Sequence, residues 1–245
     1  MLFQRKHFMR VAIIQSSYIP WKGFFDLIRR TDLCVVLDGA QYAKRHWHNR
    51  NRIMTPNGPI WLTIPVATKS RFEQPIDEVT LAEPWADKHW RSIELAYRKS
   101  PFFEQEAPAL KGLYEAAERI DRLTDVNTRF LQALMQRLGI STRMVRDSEF
   151  TPQGQRTERL LDICVKAGAT NYLSGPSARD YLDESCFAAA GISIEWMSYG
   201  PYQAYPQRGP AFDHAVSVID LLFSLGPQAA AYCRPVATDA TAGIG

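Results

Sequence analysis

The chain has 245 residues, 46% of them hydrophobic and 22% charged, with a formal net charge of +3. This composition is that of a folding globular chain with core enough for one large α/β domain, and it excludes a disordered or low-complexity protein. So small a net charge also excludes inferring nucleic-acid binding from global electrostatics, because clustered Lys and Arg carry that signal.

The opening "MLFQRKHFM" (1–9) is mixed and has no apolar run of signal-peptide length, so a flexible N-terminus and a cytoplasmic location without membrane contact are expected. "RVAII" (10–14) suits a buried parallel strand, "FFDLIRR" after Gly23 a helix, and "DLCVVLD" (32–38) a second strand, which together make a βαβ unit. "GPIWLTIPV" (58–66) reads as a third strand, entered by a turn at Pro56 to Gly58 and closed by Pro65. In "PWADKHWRSIELAYRKS" (84–100), Trp90, Ile93 and Tyr97 share one helical face, and Pro101 ends the run. Two more helices follow over 104–120 and 123–139, the second with Thr124 or Asp125 as N-cap and Gly139 beyond its end.

Alternation then returns. "TRMVRDSEF" reads as a strand, "RTERLLDICVKAG" as a helix, "TNYLSG" as a strand, "SARDYLDESCFAAAG" as a helix, "ISIEWMSY" as a strand and "DHAVSVIDLLFSLG" as the last helix. Two alternating blocks around a helical insertion (about 84–139) predict a single α/β domain over 10–235: a mostly parallel, Rossmann-like sheet with helices on both faces. The small, polar residues 236–245 are expected to be a disordered tail. The four cysteines are widely spaced with no CxxC pair, so reduced thiols are expected, with Cys34 and Cys164 as inert core residues.

Ligands of open parallel sheets bind beyond the carboxyl ends of the strands, and several polar clusters fall there. "QSSYIPW" (15–21) follows the first strand, where Gln15, Tyr18 and Trp21 face a candidate site, Pro20 stiffens the turn and Gly23 lets the next helix begin close to a ligand. Asp38 ends the second strand as a candidate base or amine anchor. "KRHWHNRNR" (44–52) carries Lys44, Arg50 and Arg52 to pair with phosphates and Asn49 or Asn51 to hydrogen-bond a polar group, with no acidic residue among them; as a bland alternative it is a solvated basic loop. Trp21 and Trp47 offer stacking surfaces for a base or sugar, with core packing as the alternative. His46 and His48 have an HxH spacing, but no third ligand is identifiable, so no metal site is assigned. "SGPSAR" places Ser174, Gly175, Ser177 and Arg179 at a helix start suited to a phosphate or carboxylate, or else simply caps that helix. The GxSxG elbow, the P-loop and the GxGxxG fingerprint are absent.

"IIQSSYIPWKGFFDLIRRTDLCVVLDGAQYAKRHWHNRNRI", "WLTIPV", "YLSGPSARDYL" and "FDHAVSVIDLLFSLG", in this order, resemble the WbqC-like protein family over roughly residues 10–227. The family opening usually reads like "HQPNYLPW"; this chain keeps Gln15, Tyr18, Pro20 and Trp21 but has Ile14 in place of the histidine and Ser16 in place of the proline. The family's association with polysaccharide and natural-product biosynthesis implies a transferase that passes an aminoacyl or acyl group to an amino sugar, which is nucleotide-linked in one version, or to a natural-product amine. The donor would be a carrier-protein thioester, a coenzyme A ester or an aminoacyl-tRNA. On that reading Gln15, Asp38 and Asn51 are catalytic, and Tyr18, Trp21, Lys44, Arg50, Arg52, Ser174, Gly175, Ser177 and Arg179 bind substrate or anion. A weaker likeness of layout, to nucleotidylyltransferase-like domains such as pantothenate synthetase, implies an alternative: an amide ligase forming an acyl adenylate with ATP and Mg²⁺, although the HxGH signature is missing. A non-catalytic ligand- or RNA-binding module is a third reading. No cofactor is otherwise implied.

Overall fold

A computed structural model describes residues 8–68, 71 and 73–236. The expected flexible N-terminus and disordered tail fall almost wholly outside these residues. Five short strands, the central ones apolar, form one parallel sheet in the order β5 (Arg143–Arg146), β2 (Leu33–Val36), β1 (Arg10–Ile14), β6 (Asn171–Ser174), β7 (Ser193–Trp196). The fold is α/β and Rossmann-like, as the alternating pattern predicts. Side chains of a strand alternate between faces. Val11, Ile13, Leu33, Val35 and Val145 therefore pack on α5 (Thr157–Lys166) and α6 (Glu184–Ala189). Cys34, Ile14 and Met144 turn the other way, onto a larger core built from α1 (Lys22–Arg29), α7 (Val218–Leu225) and the insertion.

The insertion is three helices, α2 (Ala86–Tyr97), α3 (Phe103–Ala117) and α4 (Leu123–Arg137). Burial of every residue of α7 follows from its position between the insertion and the sheet layer. Within that core Phe223 stacks on Tyr97 and Phe103 at centroid distances of 4.8 and 5.4 Å. The short helix α8 (Ala229–Tyr232) closes the described chain.

Three expectations need correction. The segment read as a third strand of the parallel sheet, β4 (Gly58–Thr63), pairs instead with the basic segment, β3 (Arg50–Thr55), in a separate antiparallel hairpin. Pro56 and Asn57 alone join the two, and so short a turn can connect only antiparallel neighbours, whereas a parallel pair needs a crossover. The last three residues of the basic segment, Arg50 to Arg52, are thus strand and not loop. The helix expected over 177–191 is split into a 3-10 turn at Pro176–Asp180 and α6, because the Asp183 carboxylate accepts the Ser185 N–H and starts a new helix. The α4 N-cap is Arg122, not Thr124 or Asp125; the Thr124 hydroxyl donates to Asp38 instead.

Phe223→Ala removes a fully buried ring from the contact between α7 and the insertion, and is expected to cost about 3–5 kcal/mol in chemical denaturation. A loss below about 1 kcal/mol would mean that the insertion is not held by this core.

Candidate functional site

β1 is flanked by β2 on one side and β6 on the other, so the chain's direction across the sheet reverses between β1 and β6. Such a reversal opens a crevice outside the carboxyl ends of the two strands. The segment Gln15 to Trp21 leaves β1 at this crevice, and its backbone is satisfied from several directions. The Ser16 N–H donates to Asp38 (2.9 Å) and the Tyr18 N–H to the Trp47 carbonyl (3.0 Å). The Asn51 amide donates to the carbonyls of Tyr18 and Ile19 at 3.1 and 3.0 Å. From α4, the Asn127 amide donates to Ser16 Oγ (2.9 Å) and to the His48 carbonyl (2.8 Å).

A cavity of about 390 Å³ lies against this segment, a volume suited to a small-molecule ligand. Its walls are Ile14, Gln15, Ser17 and Trp21 after β1, His46 to His48 and Asn51 from the basic segment, and Ser177 and Tyr199 after β6 and β7. Among the described residues, no Lys, Arg, Asp or Glu lines it. Trp21 leans on Tyr199 with ring centroids 5.4 Å apart. Its indole also folds back over Gly23, where a Cβ would come within 2.3 Å of the ring. Gly23 thus makes room for a cavity wall; it does not bring the helix close to a ligand. Tyr199 belongs to the 199–217 stretch, which the buried Lys22 amine ties to α1 by donating to the Gln203 carbonyl (3.3 Å) and lying over Tyr202 and Tyr205. Burial pushes that amine down to about 8 and the Tyr199 phenol up to about 12, so the phenol remains a donor at neutral pH.

His48 is the titratable side chain most deeply set in the cavity wall, 1% exposed. Its Nδ1 lies 3.1 Å from the Ser16 carbonyl, an obligatory acceptor, so Nδ1 carries the hydrogen and Nε2 carries a lone pair. Nε2 has no hydrogen-bond partner. Burial pushes the imidazole down to about 4 against the small opposing effect of the Ser16 carbonyl, which keeps it neutral at physiological pH. His46 stacks on it at 4.6 Å.

The structure brings together Gln15, Trp21, Trp47, Asn51 and Ser177 of the residues expected from sequence, and sets the other binding and catalytic candidates apart. Gln15 and Ser177 present side chains with no hydrogen bond among the described residues, whereas the Asn51 amide is committed to backbone on both its nitrogen and its oxygen. Asp38 is 1% exposed and accepts from Ser16 and Thr124, an anchor for the loop and not a wall of the cavity. Tyr18 is wholly buried, packed on Trp85 and Phe130, and heads a chain in which Tyr114 O–H donates to Tyr18 (2.7 Å), Tyr18 O–H to His89 Nδ1 (2.9 Å) and His89 Nε2–H to the Thr63 carbonyl (3.2 Å). Ser174 is buried against Tyr172. Gly175 caps the 3-10 turn, and Arg179 lies exposed over Trp196. Lys44, Arg50 and Arg52 lie outside the cavity lining, the last paired with Asp213 at 3.1 Å.

His48 and Tyr199 were missed as site residues. Tyr199 has a usable signal, since it follows a strand, β7, at its carboxyl end. His48 has a fainter one, in that it immediately precedes β3 in a segment whose charged residues distract from it. Among the described residues, no group of three or more His, Cys, Asp or Glu converges as metal ligands, and no helix is long and apolar enough to cross a membrane. Burial pushes the thiols of Cys34 and Cys164 up to about 12, in keeping with packing roles.

Fold and cavity together define an α/β protein with a candidate ligand cavity at the switch point of a Rossmann-like sheet. The model of the WbqC-like protein family matches residues 15–232, and the chain belongs to that family. It is 43% identical over 226 residues, 92% of this chain and 97% of the relative, to the uncharacterized protein Rv1507c of Mycobacterium tuberculosis (strain ATCC 25618 / H37Rv). No solved structure matches the chain.

Burial pushes both His48 and His89 down to about 4, so between that value and about 6.5 the unfolded chain binds more protons and stability falls as pH falls. From pH 7 to 5 the expected loss is about 2 kcal/mol per histidine. Asp38 and Asp220, pushed up by burial, act with the opposite sign, so the readout is the difference from a variant. His48→Asn with His89→Gln, which keep the bonds to the Ser16 and Thr63 carbonyls, should flatten the profile. Parallel profiles for wild type and variant would show that neither imidazole is held neutral.

Proposed function

We propose that this protein is an acyl or aminoacyl transferase that forms an amide on an amine, such as an amino sugar or a natural-product amine. The observation that carries this reading is the uncharged cavity lined by Gln15, Ser17, Ser177, Tyr199 and His48, whose buried Nε2 has no hydrogen-bond partner. Amide formation from an activated acyl group needs an acceptor for the proton that the attacking amine loses and donors for the carbonyl oxygen as it gains charge. The neutral His48 Nε2 accepts the proton and passes it to the leaving thiolate or alkoxide. The Gln15 amide and the Tyr199 hydroxyl are the donors for the oxygen. His48 lines the same cavity as Ile14, the position at which the family pattern has histidine. Asp38, considered first as base, is reassigned to holding the loop.

An acyl-adenylate route is a second reading, favoured by the position of the cavity, since the switch point of such sheets is where nucleotides commonly bind. The absence of cationic residues from the cavity lining, among the described residues, favours transfer from a donor activated elsewhere.

The test is product mass after incubation with amino-sugar nucleotides and glycyl or other aminoacyl thioesters, coenzyme A esters or charged tRNA. One pairing should give an amide, and His48→Asn should lower kcat by about 10²–10⁴-fold with the fold intact by circular dichroism. Amide formation that requires ATP and is accompanied by pyrophosphate exchange would replace this reading with the adenylate route. An undiminished His48→Asn rate would remove the imidazole from the mechanism.

A further inference from the structure

At the outer wall of the cavity the hairpin carries an aromatic and cationic surface. Arg52 and Trp61 face each other across β3 and β4, and Arg50, two residues earlier on the same side of β3, is the diagonal neighbour of Trp61. The Arg50 guanidinium lies over the Trp61 indole at 4.3 Å, and Trp61 in turn lies 5.4 Å from Trp47 with the planes 34° apart. Trp47 lines the cavity, so the three side chains run from the cavity mouth outward. Both indoles are open to solvent, Trp47 38% and Trp61 46% exposed, whereas Trp85 and Trp90 are buried.

The two arginines differ in one respect. Arg52 is paired with Asp213 at 3.1 Å, but Arg50 meets no carboxylate among the described residues and donates only to the Arg45 carbonyl. Its charge is therefore not cancelled by an ion pair, and no acid lies between residues 44 and 52. Exposed indoles offer a planar base a stacking face, and an uncompensated guanidinium beside them offers phosphate oxygens a forked donor.

We propose that Trp47, Trp61 and Arg50 bind the nucleoside phosphate of a substrate, leaving its reactive end to enter the uncharged cavity. This rests on the transferase reading, because it divides one substrate between a charged handle outside and a neutral reacting group inside. Two sources share that chemistry: the adenosine bisphosphate head of a coenzyme A ester and the uridine diphosphate of a nucleotide-linked amino sugar.

The test is titration of the full chain with adenosine 3′,5′-bisphosphate, with UDP and with a short single-stranded oligonucleotide ending in CCA, read by tryptophan fluorescence and calorimetry. One of the first two ligands should quench the fluorescence and bind, and the one that binds identifies the source. Trp61→Ala, at a site open to solvent, and Arg50→Gln, at a half-buried one, should each weaken that binding roughly tenfold or more. His48→Asn should bind the nucleotide as wild type does. Failure of both mononucleotides to bind at millimolar concentration, binding of the oligonucleotide alone, or equal affinity in Trp61→Ala and Arg50→Gln would overturn the proposal. Nucleotide binding lost in these variants, in a protein that makes no amide from any donor, would leave the nucleotide site standing and remove the transferase reading. Amide formation from nucleotide-free substrates, with kcat and KM unchanged in Trp61→Ala, would do the reverse.

Discussion

The structure depends on how six residues at the end of β1 satisfy their backbone once the strand's own ladder stops. A chain leaving a central parallel strand carries its N–H and C=O groups into a region with little water, and each unpaired group there costs as much as a lost hydrogen bond. Here the backbone partners come from three directions: Asp38 after β2, Trp47, His48 and Asn51 around the start of the hairpin, and Val218, whose N–H donates to the Pro20 carbonyl from the first turn of α7; Asn127 on α4 holds the Ser16 hydroxyl. Helical insertion, hairpin and last helix are thereby locked to one loop. The cost is visible at Ile19, a β-branched residue held at φ +37°, which persists only because Asn51 grips the carbonyl on either side of that φ.

The same network separates two kinds of polar residue. Ser16, Asp38, Asn51 and Asn127 are buried and mutually bonded, and their chemistry is spent on geometry. Gln15, Ser17, Ser177, Tyr199 and His48 line the cavity, and His48 Nε2 has no hydrogen-bond partner. Buried polar groups are ordinarily bonded, so an unpartnered imidazole nitrogen in the residue most deeply set in the cavity wall is the observation on which the proposed role of His48 rests. His48 is pinned at Nδ1 by the Ser16 carbonyl, so the loop that shapes the cavity also fixes the tautomer of this imidazole.

Much of the fold was legible, because five short apolar runs separated by periodic helices leave little choice but a parallel sheet with two covered faces. The hairpin was not. Arg50, Asn51 and Arg52 look like loop residues in composition, and only pairing with Trp61 and Leu62 reveals that alternation hides Asn51 and shows Arg50 and Arg52 to solvent. That parity is why the two arginines and the cavity lining separate in space although they are adjacent in sequence. Asp38 and Tyr18 misled for a related reason: a carboxylate at a strand end and an aromatic in a conspicuous motif look functional, but the first is consumed by Ser16 and Thr124 and the second by His89 and Tyr114. Sequence shows which groups exist, whereas availability depends on partners that arrive from α2, α3 and α4, roughly seventy or more residues away along the chain.

The neutrality of the cavity bears on which chemistry fits it. A polyphosphate drawn into a space lined by Trp, Ile, Phe and uncharged polar groups would lose hydration without gaining a cation, and a buried charge without a partner is strongly disfavoured. An acyl group and a neutral amine suffer no such penalty. On the proposed transfer, charge would separate inside the cavity, and an imidazole that burial holds neutral in the free protein would gain affinity for a proton as an oxyanion formed beside it. The low value in the free protein is therefore compatible with the acceptor role proposed for His48: it would leave the imidazole unprotonated until the amine delivered its proton.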